Sequence, residues 1–524
     1  MSFFNAYQAV DVATKKPTKP PAYLFESTAP YNIEDTFQGV GKVSSLTFLT
    51  PLKAKQAIYD IATYLATAIT EGSNPDLVIF VHGFNMSEEA VLQSYSKALD
   101  TVSSDPSITK KNGTVCVGYR WPSEKVWMPV RSTREAMPVI SWAFLIVGLA
   151  AWLGGFFWWS WLHAMGLFII AIPFTAVILR AIVYFRDTYR ATHYGAPDLV
   201  EIIRQIHNKL GDTIGIDEDA HKYKVGLSFI GHSMGGFVVT NVIRILSDVF
   251  DPRSVKDDIN SGSDERCFSE DKASKKAEEK TPPNKMPPEI GKFFSLHRLV
   301  LASPDIPAET LILSRANFLA SALRRFGEAY LFSNEGDEIL RSLSTIANSF
   351  SFNNKTRKHG YRLGNVSVVA NNSKDYGFLG QVANDLNNLR VGSLTLGDIY
   401  QSITEGVNTF PKLFTYFDCT NYIDKNGKGI LTFARKNTAA NKKMNIPQHF
   451  WLFISLLWGA RNVHGGYFDG DFTRQLIYRL ACLGFSDTED AYKNDARTAG
   501  GPANSNQLHY LCSNAHIKVL GRDP

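Results

Sequence analysis

Three patterns of hydrophobic and polar positions recur along the chain, and each predicts a different element. Short, continuous apolar runs bounded by turn-forming residues lie at Asp76–Val81, Thr114–Tyr119, Val225–Gly231, Leu296–Ala302, Ala329–Phe332 and Lys412–Phe417. A strand covered on both faces of a parallel sheet has this appearance, because neither face meets water. Between them, helical spacing is read over Ala54–Ala68, from Ser87 onward, over Leu199–Leu210, after Ser233 and over Phe472–Leu483. Ser87 is placed to cap its helix, with Glu88 and Glu89 in the first turn where the helix dipole favours them. Strands alternating with helices predict a mostly parallel α/β sheet.

The third pattern is a run from Pro138 to Leu179 with no Asp, Glu, Lys or Arg. One membrane-spanning helix needs about 20 apolar residues. This run is twice that, which predicts two helices joined near Trp158–His163, where the tryptophans suit an interfacial belt. Arg131 and Arg134 precede it, and Arg180, Arg186 and Arg190 follow. Positive charge on both flanks predicts an integral membrane protein with both hairpin ends and the catalytic domain on the cytoplasmic side. A buried helical hairpin, or one lying on the bilayer surface, is the alternative reading.

These patterns divide the chain into an extended, proline-interrupted arm over 1–42, then a first part of the α/β domain over 43–136 and the hairpin over 137–184. A second α/β part follows over 185–253, then a charged, apolar-poor insertion over 254–292, a third part over 293–484 and a polar tail over 485–524. With 524 residues, 44% of them hydrophobic, the chain can bury a large core. A net charge of +5, spread without any recognisable nucleic-acid module, gives no case for nucleic acid. Five scattered cysteines argue against a disulfide framework, and the first residues lack the basic and apolar regions of a secretory signal.

The chemistry centres on Gly231-His232-Ser233-Met234-Gly235, set between an apolar strand and an amphipathic helix. A strand-to-helix turn of this kind lifts a serine out of the backbone, and the glycines let strand and helix approach closely. Serine needs a histidine base and a carboxylate to orient it. His464, in the loop Asn462-Val463-His464-Gly465-Gly466, is the candidate base; His449 is its rival, and His232 reads as a packing or hydrogen-bonding neighbour. Asp337, past the second strand after the elbow, is the candidate acid; Asp305, one strand earlier, is the alternative, with Asp418 a distant third. An oxyanion needs amide donors, and Met234 and Phe84 are placed to supply them. Neither a phosphate-cradling loop nor metal-ligand spacing stands out, so no cofactor is expected.

Through V-H-G-F-N, R-W-P-S, G-H-S-M-G-G, L-A-S-P-D, S-N-E-G-D with Tyr361-Arg362-Leu363-Gly364 downstream, and H-G-G-Y-F, the chain resembles the α/β-hydrolase superfamily, in its bacterial serine esterase and lipase branch. The resemblance implies an α/β-hydrolase fold, here with an inserted two-helix transmembrane hairpin, and Ser233 as nucleophile, His464 as base and Asp337 as acid. It implies hydrolysis of carboxylic esters through an acyl-serine. The hairpin directs that expectation to lipid esters and a bilayer, with a protein acyl-thioesterase or peptidase using the same triad, or a non-catalytic membrane adaptor, as the other readings. The apolar segment His449–Trp458 is expected either to line or cover an acyl slot or to form a core helix.

Overall fold

The computed structural model describes residues 4–123 apart from 12–13, 30–46 and 85; residues 148–153, 161 and 163–167; and residues 183–250 apart from 216–223. It also describes 289–307, 323, 325–334, 336–337, 340, 362–365, 390–391, 394–395, 414–423, 427, and 462–521 apart from 500–503 and 505. His449, the segment 449–458 and the charged insertion up to 288 lie outside the described residues.

The strands are β1 (Phe4–Asp11), β2 (Ala22–Ser27), β3 (Thr47–Leu52), β4 (Asp76–Val81), β5 (Thr114–Arg120), β6 (Val225–His232), β7 (Glu289–Ile290) and β8 (Phe294–Ala302). They continue with β9 (Glu328–Ser333), β10 (Arg390–Val391), β11 (Leu394–Thr395), β12 (Thr415–Asp418) and β13 (Lys518–Gly521). The named helices are α1 (Ala54–Thr70), α2 (Glu88–Ser104), α3 (Pro106–Thr109), α4 (Ala196–Ile214), α5 (Met234–Phe250), α6 (Asp471–Cys482), α7 (Phe485–Thr498) and α8 (Gln507–Asn514). One sheet runs β13-β12-β9-β8-β6-β4-β5-β2-β1-β3, with β7 added antiparallel on β8; β10 and β11 form a separate pair.

From β12 to β2 every neighbour in this sheet is parallel. Side chains alternate between faces with the period of two that strands impose. Leu77, Ile79 and Val81 of β4 join a core with α1, α4 and α5, whereas Val78 and Phe80 join a second core with α2, α6 and α8. The architecture is therefore α/β, with helices on both faces of a mostly parallel sheet. α2 starts where expected: the Ser87 side chain accepts from the Ala90 amide, with Glu88 and Glu89 in the first turn.

Two expectations about the ends are corrected. The described residues of 1–42 are not an extended arm, because β1 and β2 pair with each other and β2 runs parallel to β5. Pro17, Pro20 and Pro21 sit in the connection between β1 and β2, where a missing amide costs no ladder bond. The described residues of 485–521 are not a polar tail either. α7 and α8 bury Ala491, Tyr492, Leu508 and Cys512, and β13 closes the β12 edge antiparallel. Only one face of each short helix meets the core, so a low apolar density concealed them.

Within the predicted hairpin, residues 148–153 and 163–167 are helical and touch: a Cβ on Gly166 would lie 2.5 Å from the Gly148 carbonyl oxygen and 2.5 Å from the Trp152 nitrogen. Leu149, Leu153, Trp161, Met165 and Leu167 are exposed. Among the described residues, no helix is long and apolar enough to cross a membrane.

Candidate active site

In a parallel sheet the loops after each strand gather at one edge, and a crevice opens where the chain switches its direction of winding. From β4 the chain goes to β5 on one side; from β6 it goes to β8 on the other. The loops after β4 and β6 therefore meet at the switch point. A Cβ on Gly83 would lie 3.0 Å from the Ser233 Cβ, so the backbone after β4 passes directly against the serine.

Ser233 has φ of 54°, a left-handed conformation that side chains other than glycine seldom adopt. Strand pairing and helix packing hold it there. Its amide donates to the Ala302 carbonyl (3.0 Å), and its carbonyl accepts from the amides of Gly236 and Asp305 (3.0 Å each). The flanking glycines are required by close approach: a Cβ on Gly231 would sit 2.6 Å from the Gly236 Cα, and one on Gly235 would sit 2.3 Å from the Val81 oxygen. The Ser233 hydroxyl is buried and makes no hydrogen bond among the described residues.

His464 Nδ1 lies 2.6 Å from Asp337 Oδ2, with the carboxylate wholly buried. A donor at Nδ1 facing a carboxylate fixes the tautomer and leaves Nε2 as the acceptor, which is what a general base requires. Burial alone would lower the His464 pKa. The charge and hydrogen bond of Asp337, with the charge of Asp305, outweigh burial and raise it above the ordinary imidazole value. The loop is tied to the elbow by His232, whose Nε2 donates to the His464 carbonyl (3.0 Å) and whose ring lies 5.1 Å from that of His464. Burial, with His464 beside it, pushes His232 down to about 3, so it stays neutral.

The structure thus pairs His464 with Asp337 and ties the His464 loop, through His232, to the turn that carries Ser233, and it gives the other two carboxylates different partners. Asp305 forms an ion pair with Arg362 (2.9 Å), and Asp418 accepts from the Thr420 amide (2.9 Å) at the end of β12. Met234 opens α5, where its amide has no acceptor within the helix, and Phe84 is half-buried with its ring against Tyr184 (5.9 Å). No family model, no curated protein and no solved structure matches the chain.

Several residues that shape the site, some of them inside the quoted motifs, were given no role by the sequence. The Trp121 indole donates to the His82 carbonyl (2.8 Å) and stacks on the His82 ring, bracing the loop after β4. Burial holds His82 down at about 4, so it too stays neutral. Ser303, with φ of 42°, donates to the Tyr467 hydroxyl (2.9 Å) and joins the β8 loop to the base loop. The Asn365 side-chain amide donates to the carbonyls of Asn334 and Asp337 (3.1 Å each) and holds the acid loop. Among the described residues, no cluster of His, Cys, Asp or Glu could hold a metal ion.

Proposed function

We propose that this chain is a serine hydrolase of the α/β-hydrolase type, anchored to a membrane, that cleaves carboxylic esters through an acyl-serine intermediate. The observation that carries the reading is the 2.6 Å His464–Asp337 contact beside a serine held at positive φ between two obligatory glycines. On this reading, His464 Nε2 takes the Ser233 proton as the hydroxyl attacks the ester carbonyl. The imidazolium is stabilised by Asp337, and its proton passes to the leaving alkoxide. The amides of Met234 and Phe84 receive the tetrahedral oxyanion. Water then attacks the acyl-serine by the same route, releasing the acid.

Lipid acyl esters are the favoured substrates because a run of more than 40 uncharged residues enters the chain between β5 and α4, and its described helical parts expose Leu149, Leu153, Trp161, Met165 and Leu167. All connections leaving the carboxyl ends of the strands start on the side of Ser233, so the anchor and the crevice share an edge. Labelling by a fluorophosphonate probe tests the chemistry: the wild-type chain is expected to label and Ser233→Ala not to. A folded Ser233→Ala variant that retains ester hydrolysis would refute the mechanism, and a wild-type chain inert to probe, ester and thioester would favour a non-catalytic adaptor. Turnover of an acyl thioester in preference to an oxygen ester would shift the substrate class while keeping the triad.

A further inference from the structure

Two buried carboxylates face the candidate base, and one of them is held by an arginine. Asp305 is 2% exposed and its amide donates to the Ser233 carbonyl, so the residue is part of the wall behind the nucleophile. Arg362 is 4% exposed. Its Nε lies 2.9 Å from Asp305 Oδ1, and its Nη2 donates to the Tyr184 hydroxyl at 2.6 Å. A guanidinium is suited to this double contact because its donors are spread in a rigid fork, which an ammonium cannot reproduce.

The backbone fixes where that cation sits. The Leu363 amide donates to the Ile306 carbonyl (2.8 Å), the Gly364 amide to the Pro304 carbonyl (3.1 Å), and the Asn334 amide to the Gly364 carbonyl (2.9 Å). A Cβ on Gly364 would lie 2.4 Å from the Leu340 side chain and 2.7 Å from the Ser303 carbonyl carbon. Residues 362–365 are therefore wedged between the loops after β8 and β9, with Arg362 on the carboxylate of one and Asn365 on the backbone of the other.

We propose that Arg362 is a positioning residue that acts by charge: it opposes Asp305, so that Asp337 is the dominant anion at His464 and the one that orients it. The inference rests on the serine-hydrolase reading for its catalytic consequence, while the charge relation itself does not. Without Arg362, the site would present two buried anions to one imidazole. The imidazolium would then be overstabilised before reaction, and the base would be protonated at a pH where it is needed neutral. Among the described residues, the groups acting on His464 are Asp337 from the β9 loop, Asp305 from the β8 loop and His232 at the end of β6; Tyr467 interacts in turn with Asp337, and His82 with His232. His232 and His82 are held neutral, so among the described residues Asp337, Asp305 and Arg362 are the charges that bear on the site.

Opposite signs provide the test. In the full-length chain, Arg362→Gln should raise the titration midpoint of His464, read by histidine NMR, and shift the acid limb of kcat/KM upward by about one pH unit. Asp305→Asn leaves the cation unopposed and should move both downward; the double variant should return near wild type, and Arg362→Lys should stay close to it. A folded Arg362→Gln with an unmoved His464, or single variants that shift in the same direction, would overturn the proposal. Should Arg362→Gln fail to fold, Asp305→Asn and Arg362→Lys carry the comparison, and an unmoved midpoint in Asp305→Asn is then the refuting result. If the wild-type chain proves inert to fluorophosphonate, the hydrolase reading fails while the NMR titration still decides the charge relation.

Discussion

Replacing Gly235 by alanine probes the site without touching a reacting group. The added methyl would lie 2.3 Å from the Val81 oxygen and 2.5 Å from the His82 oxygen, both backbone atoms at the end of β4. Ordinary contact distances are longer by about 1 Å, so the elbow and the end of β4 must separate by that amount. His82 leads directly into Gly83 and Phe84, so the displacement falls on the amide that is to receive the oxyanion. A shift of about 1 Å at a catalytic constellation costs about 100-fold in rate, and overpacking a tight interior costs about 1–3 kcal/mol of stability. The expected outcome is a kcat/KM on a soluble short-chain ester lowered about 100-fold, slower fluorophosphonate labelling, and a modestly lower Tm. Gly236→Ala is the control, because its nearest neighbour would be the Pro304 side chain at 3.1 Å and not the oxyanion loop. Unchanged kcat/KM and Tm in Gly235→Ala would refute the claim that this glycine sets the spacing between nucleophile and oxyanion loop.

Asp337→Asn should lower kcat by about four orders of magnitude through loss of the productive His464 tautomer, whereas Asp305→Asn should stay within about tenfold of wild type; equal losses would refute the assignment. Because His464 must be neutral to act and its pKa is raised by Asp337, wild-type kcat/KM should rise with pH through a midpoint above the ordinary imidazole value, and any turnover left in Asp337→Asn should rise at lower pH. At the opposite edge of the sheet, buried Asp76 binds His297 (2.8 Å), Arg298 (3.1 Å) and Lys111. Burial would raise its pKa, but the His297 hydrogen bond and the charges of Arg298 and Lys111 depress it. This contribution to stability is therefore present above the unfolded carboxylate pKa and lost as pH falls below it; Asp76→Asn should destabilise by about 3–5 kcal/mol at neutral pH and less in acid, measured by denaturant titration. Replacing residues 137–182 by a short soluble linker should preserve hydrolysis of a soluble ester, greatly reduce attack on bilayer lipid, and release the chain from carbonate-washed membranes; equal loss on both substrates would mean that the hairpin supports the fold.

What could be read from the sequence was local. The elbow was legible because glycine spacing, an apolar strand and a helix adjoin within a dozen positions around Ser233, and the buried strands because parallel pairing hides both faces. Asp337 and Asp305 could not be separated that way, since both follow buried strands and both lie near turns. The fold separates them by their partners: Asp337 lies against His464, whereas Asp305 pairs with Arg362, and neither partner adjoins its carboxylate in the sequence. The N-terminal strands were missed because prolines punctuate the loop joining them, and α7 and α8 because only one face of each short helix is apolar; α7 is held to α6 in part by Arg479, a buried charged residue that bonds Asp105 and lies over the Tyr492 ring. A charged side chain read in isolation points outward; only the fold supplies its partner.

The order of elements along the chain also imposes an order in time. The apolar run precedes β6, whereas the loops carrying Asp337 and His464 follow β9 and β12. Ser233 and His464 are separated by about 230 residues, and ribosomes add roughly 5–20 residues per second. Tens of seconds therefore pass between synthesis of Ser233 and of His464, and the apolar run emerges before both. On the proposed reading, the nascent chain reaches its bilayer as an inert precursor and gains hydrolytic power only when the last strands close the sheet, which confines the activity to the membrane where it was made.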